Sequence, residues 1–367
     1  MLPIVSQTDL ERLIERLRGE RVLALDTEFM RERTYFPRLC LLQIATSDGA
    51  AHCVDPLAGL DLATLFALLR SPAITKILHS ARQDLEVFWY LCEAVPAPVF
   101  DTQLAASFCG LSDQIGYAAL VRALLGVELD KLHTRTDWSQ RPLSAAQLAY
   151  AREDVQHLPA LAGALRSRLA ARDREAWVEE ECARLSDSAL YQVVPEEMWR
   201  RVKGALRLPA PTRQVLRALA AWREAKARAL DKPRSWVVSD ADLVAVAACR
   251  PADIRELLAG GAGARAIKRH ARELLAVVEA SSGKVELEQL AIRRPIIAAR
   301  AKVNDLLERI RARARAADLS PHLVASRRDV ERAVLGKRDS RLFQGWRKAF
   351  IGDDLEQWLA EPPAASA

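Results

Sequence analysis

The amino-acid sequence predicts a mixed α/β sheet domain in its first half and small all-helical domains in its second. Three observations carry that prediction. Short apolar runs of strand character alternate with helix-periodic segments over the first ~170 residues. From Leu208 onward strand character nearly vanishes, and Ala, Leu and Arg dominate at helical spacing. The charge balance also reverses: residues 1–199 hold 20 Lys/Arg against 28 Asp/Glu, and residues 200–367 hold 34 against 20. An acidic half that can gather cations is joined to a basic half that can gather phosphates.

Taken in order, Val22–Glu28, Leu41–Thr46 and Ala50–Val54 are short apolar runs between turn residues and read as strands. Ser47-Asp48-Gly49 is the hairpin turn between the second and third. Asp61–Leu69 has helical periodicity, Ile74–Leu78 reads as a strand and Arg82–Leu91 as a helix. Val99–Phe100 is a short strand leading into a helix over Thr102–Phe108. Ser144 caps a helix that starts near Ala145 and carries Tyr150 and Asp154, and Pro159 kinks or ends it. A charged helical segment spans Arg172–Arg184, and Ser186–Pro195 looks like a linker. Beyond it, breaks at Pro233, Pro251, Gly260–Gly263, Ser281–Gly283 and Arg293–Pro295 divide the helical half into two blocks. Each block holds a Trp-Arg pair, Trp222-Arg223 and Trp346-Arg347, at different places, which is weak evidence of a repeat.

The chain has 367 residues, enough for two or three domains at roughly 100–200 residues each. No apolar run approaches the ~20 residues that cross a bilayer. The N-terminus lacks a basic leader followed by an apolar stretch, so no secretory signal is expected. The six cysteines (Cys40, Cys53, Cys92, Cys109, Cys182, Cys249) form no C-x-x-C pair, which speaks against a zinc ribbon. Reduced thiols in a cytoplasmic protein are the expectation.

Chemistry concentrates in the first half. In Leu23-Ala-Leu-Asp26-Thr-Glu28-Phe29 a strand ends in acids at i and i+2, which point to the same face. Two carboxylates side by side repel unless a cation sits between them; the alternative is a strand end with two solvated acids. Tyr150-Ala-Arg-Glu-Asp154 places a phenol and a carboxylate at i and i+4 on one helix face. His79-Ser-Ala-Arg-Gln-Asp84 puts an acid in the first turn of a helix after a strand, where the helix dipole alone would also favour it. Asp101 has a similar context but reads as an N-cap.

This order, D-x-E, then D, then Y-x-x-x-D, resembles the DEDD superfamily of 3′→5′ exonucleases in its tyrosine subclass. The histidine subclass would place its histidine at position 149, which is Ala149. Phe100-Asp-Thr-Gln-Leu-Ala-Ala, Asp137-Trp-Ser-Gln-Arg-Pro-Leu-Ser and Tyr150-Ala-Arg-Glu-Asp-Val look like the bacterial ribonuclease D family. Leu208–Ala280 resembles the helical HRDC domain shared by helicases and ribonuclease D, and Ile297–Leu359 a divergent second copy. Thr136 stands where serine is expected, a minor departure. The resemblance implies a ribonuclease H-like exonuclease domain at 1–185, a linker at 186–207, a first HRDC domain at 208–285 and a second at 295–361. It further implies two divalent ions, Mg²⁺ or Mn²⁺, held by Asp26, Glu28, Asp84 and Asp154, with Tyr150 orienting the attacking water. Asp26 would bridge the two ions, and the implied reaction releases nucleoside 5′-monophosphates from the RNA 3′ end. The implied substrates are 3′ ends of tRNA precursors and other small structured RNAs, and the implied state is a monomer. Phe29 and His79 are candidate substrate-binding residues; the plainer alternatives are a core side chain and a hydrogen-bonded structural histidine, the latter also for His157. A DNA-directed exonuclease and a non-catalytic scaffold on a nuclease fold are the competing readings. The basic stretches Lys226–Arg234, Arg265–Arg272, Arg309–Arg315 and Lys337–Lys348 are candidate RNA-gripping clusters, and Trp222, Trp236 and Trp346 are either core residues or base-stacking platforms.

Overall fold

The computed structural model describes residues 2–129, 136–259, 264–281 and 297–361. The expected breaks at Gly260–Gly263 and Arg293–Pro295, and most of that at Ser281–Gly283, lie outside the described residues. The chain divides into two units, one from Met1–Met30, Leu39–Tyr191 and Pro295–Ala367, the other from Arg31–Arg38 and Gln192–Arg294.

The first unit is built on a sheet of order β3-β2-β1-β4-β5, formed by β1 (Val22–Met30), β2 (Arg38–Ala45), β3 (Ala51–Val54), β4 (Thr75–Leu78) and β5 (Val99–Asp101). β1 and β4 run parallel, as do β4 and β5, while β2 and β3 form the antiparallel hairpin whose turn holds Gly49 at φ +81°. A central strand is covered on both faces, which explains the unbroken apolar run before Asp26. Leu23 and Leu25 pack with Leu10, Leu13 and Leu17 of α1 (Gln7–Leu17), Leu65 and Leu69 of α2 (Ala63–Leu69), and Leu85 and Phe88 of α3 (Arg82–Cys92). Ala24 points the other way. It joins a cluster with α4 (Thr102–Phe108), α5 (Tyr117–Leu125), α7 (Leu158–Ala170) and α8 (Glu175–Leu185). Between α5 and α7 lies α6 (Ala145–Gln156), which starts at a Ser144–Gln147 capping box. It stops before Pro159, which occupies the first turn of α7, where its missing N–H costs nothing.

Asp101 does more than cap. Its carboxylate accepts from the N–H groups of Gln103 (2.9 Å) and Leu104 (3.1 Å) at the start of α4. It also accepts from Ser80 (3.2 Å) and Ala81 (2.9 Å) in the turn that opens α3. Ser80 sits at φ +60°, a conformation non-glycine residues seldom adopt, so this turn depends on its hydrogen bonds.

The C-terminal helices α14 (Ile297–Ala316), α15 (Pro321–Val324), α16 (Arg327–Val334) and α17 (Gly345–Ala360) share the nuclease core instead of forming their own. Trp346 stacks on Trp177 of α8 (ring centroids 5.0 Å apart) and meets Phe108 edge-on. Its indole N–H donates to Glu181 (2.8 Å), which also binds Arg347. Arg174 donates to the carbonyls of Phe108 (2.7 Å), Asp318 (3.3 Å) and Ala317. Trp346 is only 3 % exposed, so the base-stacking alternative falls away for it.

In the second unit, α9 (Ala210–Ala229), α10 (Arg234–Val237), α11 (Asp240–Cys249), α12 (Ile254–Ala259) and α13 (Ala264–Ala280) form the helical block. Much of the expected linker is folded: Pro195–Arg201 and Ala205–Arg207 are 3₁₀ helices, with Met198 and Trp199 buried. The segment between β1 and β2 also belongs here. The Tyr35 hydroxyl donates to Glu224, a carboxylate 1 % exposed, and Arg234 pairs with the same group (2.8 Å). Asp231 accepts the backbone N–H groups of Tyr35 and Phe36, each at 3.0 Å. A buried carboxylate is tolerated because it is paired and hydrogen-bonded.

The two Trp-Arg pairs have similar work but different places. Arg223 donates to the Val238 carbonyl (2.9 Å), just before the Ser239 cap of α11. Arg347 donates to the Val324 carbonyl (3.0 Å), shortly before the Ser326 cap of α16. Arg223 comes from the first long helix of its block and Arg347 from the last, so the pairs are not equivalent positions of a repeat.

The Asp101 clamp makes a stability prediction. Asp101→Ala leaves four backbone donors, that of Ala81 buried, short of an acceptor and is expected to cost about 2 kcal/mol. Urea unfolding measures this; a midpoint equal to wild type would show the clamp to be dispensable.

Candidate active site

Strand alternation carries the site. Asp26 and Glu28 continue the face of Ala24, and Thr27 continues the face of Leu23 and Leu25. On the first face, α6 brings Asp154 against the pair, so that oxygens of Asp26, Glu28 and Asp154 all lie within 4.8 Å of one another. On the other, the Thr27 hydroxyl donates to Asp84 in the first turn of α3 at 2.5 Å. One strand thus binds all four acids into a single arrangement.

Tyr150 lies one turn before Asp154 and donates its hydroxyl to that carboxylate. Its ring stacks on Trp138 (6.2 Å, 29°), itself buried beside Cys40, Leu41 and Leu148. Arg141 anchors the loop carrying Trp138. Its guanidinium grips Asp55 through Nε (2.6 Å) and Nη2 (2.7 Å) and also donates to the carbonyls of Cys40, Trp138 and Gln140. The Asp137–Ser144 motif therefore acts mechanically: Arg141 pins the loop, Trp138 fixes the tyrosine and Ser144 starts the helix.

The four carboxyls share an unusual electrostatic state. Burial, then repulsion from Asp84, Asp154 and Glu28, pushes Asp26 well above the usual carboxylate range. Burial and the charges of Asp154 and Asp84 raise Glu28 to about 8. Asp84 and Asp154 each rise to about 7, chiefly through burial. Burial and the nearby acids also push the Tyr150 phenol above its ordinary value, so it stays protonated at neutral pH. Such a cluster takes up either protons or cations. Converging hard oxygen donors, desolvated and mutually repelling, fit divalent ions of the magnesium or manganese type.

A cavity of about 230 Å³ opens over the acids, lined by Asp26, Thr27, Glu28, His79, Tyr117, Tyr150, Asp154 and Leu158. Asp84 is not among the lining residues and is reached through Thr27. His79 lines the cavity with both ring nitrogens engaged, by Thr102 Oγ1 (2.9 Å) and the Ile115 carbonyl (3.0 Å). Phe29 packs against the core cluster on the far face of β1 and is not among the lining residues. His157 caps α6, contacts Gln156 and likewise does not line the cavity. Sequence reasoning missed Thr27, Tyr117 and Leu158. Thr27 was legible in principle, since it sits between the two acids; Tyr117 belongs to no local pattern.

Comparison with known proteins places this arrangement. A 3′-5′ exonuclease family model matches residues 2–170, and an HRDC domain model matches residues 212–278. The ribonuclease D of Gluconacetobacter diazotrophicus is 40 % identical, over 96 % of this chain and 91 % of its own. That of Acidiphilium cryptum is 40 % identical, over 96 % and 92 %. The crystal structure of Escherichia coli RNase D, an exoribonuclease involved in structured RNA processing, superposes with a TM-score of 0.87 at 33 % identity, covering 98 % of each chain. The chain belongs to the ribonuclease D family: a 3′→5′ exoribonuclease that uses divalent metal, with an α/β nuclease domain followed by a helical HRDC domain.

Proposed function

We propose that this enzyme trims 3′ extensions of tRNA precursors and other small structured RNAs, releasing nucleoside 5′-monophosphates. Asp26, Glu28, Asp84 and Asp154 hold two divalent ions, Mg²⁺ or Mn²⁺. The observation that carries this is the convergence of Asp26, Glu28 and Asp154 in one desolvated cavity, with Tyr150 hydrogen-bonded to Asp154. When bound, two such ions supply Lewis-acid stabilisation of the attacking and leaving oxygens. Asp26, which feels the charges of Asp84, Asp154 and Glu28 together, would be the central carboxylate holding the ions. Tyr150, kept protonated, orients the water by hydrogen bonding and does not take its proton.

The proposed domain division is 1–185 for the nuclease, 186–207 for the connection, 208–285 for the first HRDC domain and 295–361 for the second, HRDC-like block. The proposed working state is a monomer. All six cysteines are unpaired, which supports a reducing cytoplasmic setting. Among the described residues, no helix is long and apolar enough to cross a membrane.

The basic surface narrows on inspection. Arg309, Arg311, Arg313, Arg338, Arg341 and Arg347 are all committed to acidic partners. By contrast, Arg265, Lys268, Arg269 and Arg272 are exposed along α13, and among the described residues they form no ion pair. These four are the proposed phosphate-gripping stripe.

Four outcomes are expected. RNA labelled at its 5′ end and extended at its 3′ end shortens stepwise with magnesium or manganese, stops with a chelator, and outpaces a matched DNA oligomer. Asp26→Ala and Asp154→Ala lose on the order of 10³-fold or more in turnover, while Tyr150→Phe loses about 10²-fold. In chelator, Asp26→Asn melts no lower than wild type, because it removes a carboxyl whose ionisation burial and the neighbouring acids oppose; full turnover by Asp26→Ala would sink the assignment.

The raised carboxyls also set a pH dependence. Their folded values exceed the unfolded ones, so the folded chain binds more protons between about pH 4 and 8, and metal-free stability falls as pH climbs through that window. Manganese should therefore raise the melting temperature more at about pH 8 than at about pH 5. An equal or reversed gain would count against the metal site. Finally, Lys268→Glu with Arg272→Glu should weaken RNA binding and flatten its salt dependence by a slope of about 2, with turnover at saturating RNA retained.

A further inference from the structure

The cavity contains an aromatic side chain that the acids and Tyr150 do not account for. Tyr117 is the first residue of α5 and lines the same cavity as Asp26, Glu28 and Asp154, partly exposed. Its hydroxyl donates to the Glu153 carbonyl at 2.7 Å. That carbonyl lies in the last turn of α6, where helix acceptors lack intrahelical donors. The ring meets His79 edge-on (5.7 Å, 61°). The backbone entering Tyr117 is pinned as well, since the Ile115 carbonyl accepts from both His79 Nε2 (3.0 Å) and Gln103 Nε2 (3.1 Å). The phenol is therefore held from three directions, with its polar atom already used.

We propose that Tyr117 is a substrate-binding residue, whose ring is the wall against which the 3′-terminal nucleoside packs. This rests on the exoribonuclease reading of the same cavity. A nucleotide entering there directs its phosphate to the acids and their ions, and its sugar and base need an uncharged surface. The other uncharged lining groups are smaller, buried or turned to the acids. Leu158 is 1 % exposed, and Thr27 is buried with its hydroxyl given to Asp84. His79 is tethered through both nitrogens, and Tyr150 serves Asp154. Tyr117 has its hydroxyl bound to the Glu153 carbonyl, which leaves the ring as its surface for packing. Packing on an aromatic surface tolerates any base, because every base has a π-face, which suits an enzyme that removes successive nucleotides regardless of sequence.

The test compares Tyr117→Ala, Tyr117→Leu and Tyr117→Phe in the full chain. The readouts are KM and kcat on a single-stranded RNA oligomer, and inhibition by adenosine 5′-monophosphate and by ribose 5-phosphate. Tyr117→Ala should raise KM and weaken the adenosine monophosphate inhibition by roughly tenfold, the scale of one lost base–aromatic contact. Its kcat should change much less, and ribose 5-phosphate, which has no base, should lose little. Tyr117→Phe should recover most of the lost affinity. Tyr117→Leu keeps bulk without the ring and carries the same expectation as Ala if the smaller residue unfolds the chain. The proposal is overturned if KM and nucleotide inhibition are unchanged, if both inhibitors weaken equally, or if Phe is as damaging as Ala. Wild type measured alongside separates the two readings. An inactive wild type would remove the nuclease assignment, and an active wild type matched by Tyr117→Ala would remove only this inference.

Discussion

Repulsion among four closely set, largely desolvated carboxyls is the constraint on which the rest of the nuclease domain depends. Left to themselves, Asp26, Glu28, Asp84 and Asp154 would move apart or protonate, and their raised values show how strongly burial and proximity disfavour their charges. The fold resists the first of these escapes. Asp26 and Glu28 share one rigid central strand, Asp84 is fastened to that strand by Thr27, and Asp154 is fastened to Tyr150 one turn away. Electrostatic strain of this kind is relieved by protons or by cations, which is the physical basis of the proposed metal site.

Holding repelling groups together requires a scaffold stiffer than the repulsion, and its parts are polar side chains gripping backbone. Asp101 ties the α3 and α4 turns together through four N–H groups, which fixes the start of the helix bearing Asp84. Arg141 ties its loop to Asp55 and to three carbonyls, which fixes Trp138 and through it Tyr150. Neither residue reaches the cavity. Both use the multiple donors or acceptors of one charged group to lock two segments at once.

The acids were legible in the sequence because their geometry is local. Positions i and i+2 on a strand, or i and i+4 on a helix, fix a shared face without any knowledge of the tertiary fold, and the strand–helix alternation of residues 22–108 is likewise local. What could not be read is long-range. Tyr117 meets Glu153 across 36 residues, Trp346 meets Glu181 across 165, and Tyr35 meets Glu224 across 189. No periodicity in a single sequence encodes such pairs. Phe29 shows the same limit from the other side: strand alternation correctly turns it away from Glu28, yet only the packing reveals that the far face is core.

Composition misled in a more instructive way. A balance of +14 beyond residue 199 suggests a broad phosphate-binding surface. In the structure, many of those cations neutralise local acids or satisfy backbone carbonyls. Arg347 is 1 % exposed and Lys302 is buried with its ammonium on the carbonyls of Trp358 and Glu361. A cation whose donors are all engaged releases no counterions on meeting RNA, so it adds to net charge without adding to affinity. The C-terminal block illustrates the distinction. Its Trp346-Arg347 pair, which in sequence looks like a nucleic-acid contact, is turned inward on Trp177, Phe108 and Glu181 and helps complete the nuclease core. The proposed phosphate-gripping stripe differs in this respect, since Arg265, Lys268, Arg269 and Arg272 share an exposed face of α13 opposite buried Ile267, Ala271 and Leu274.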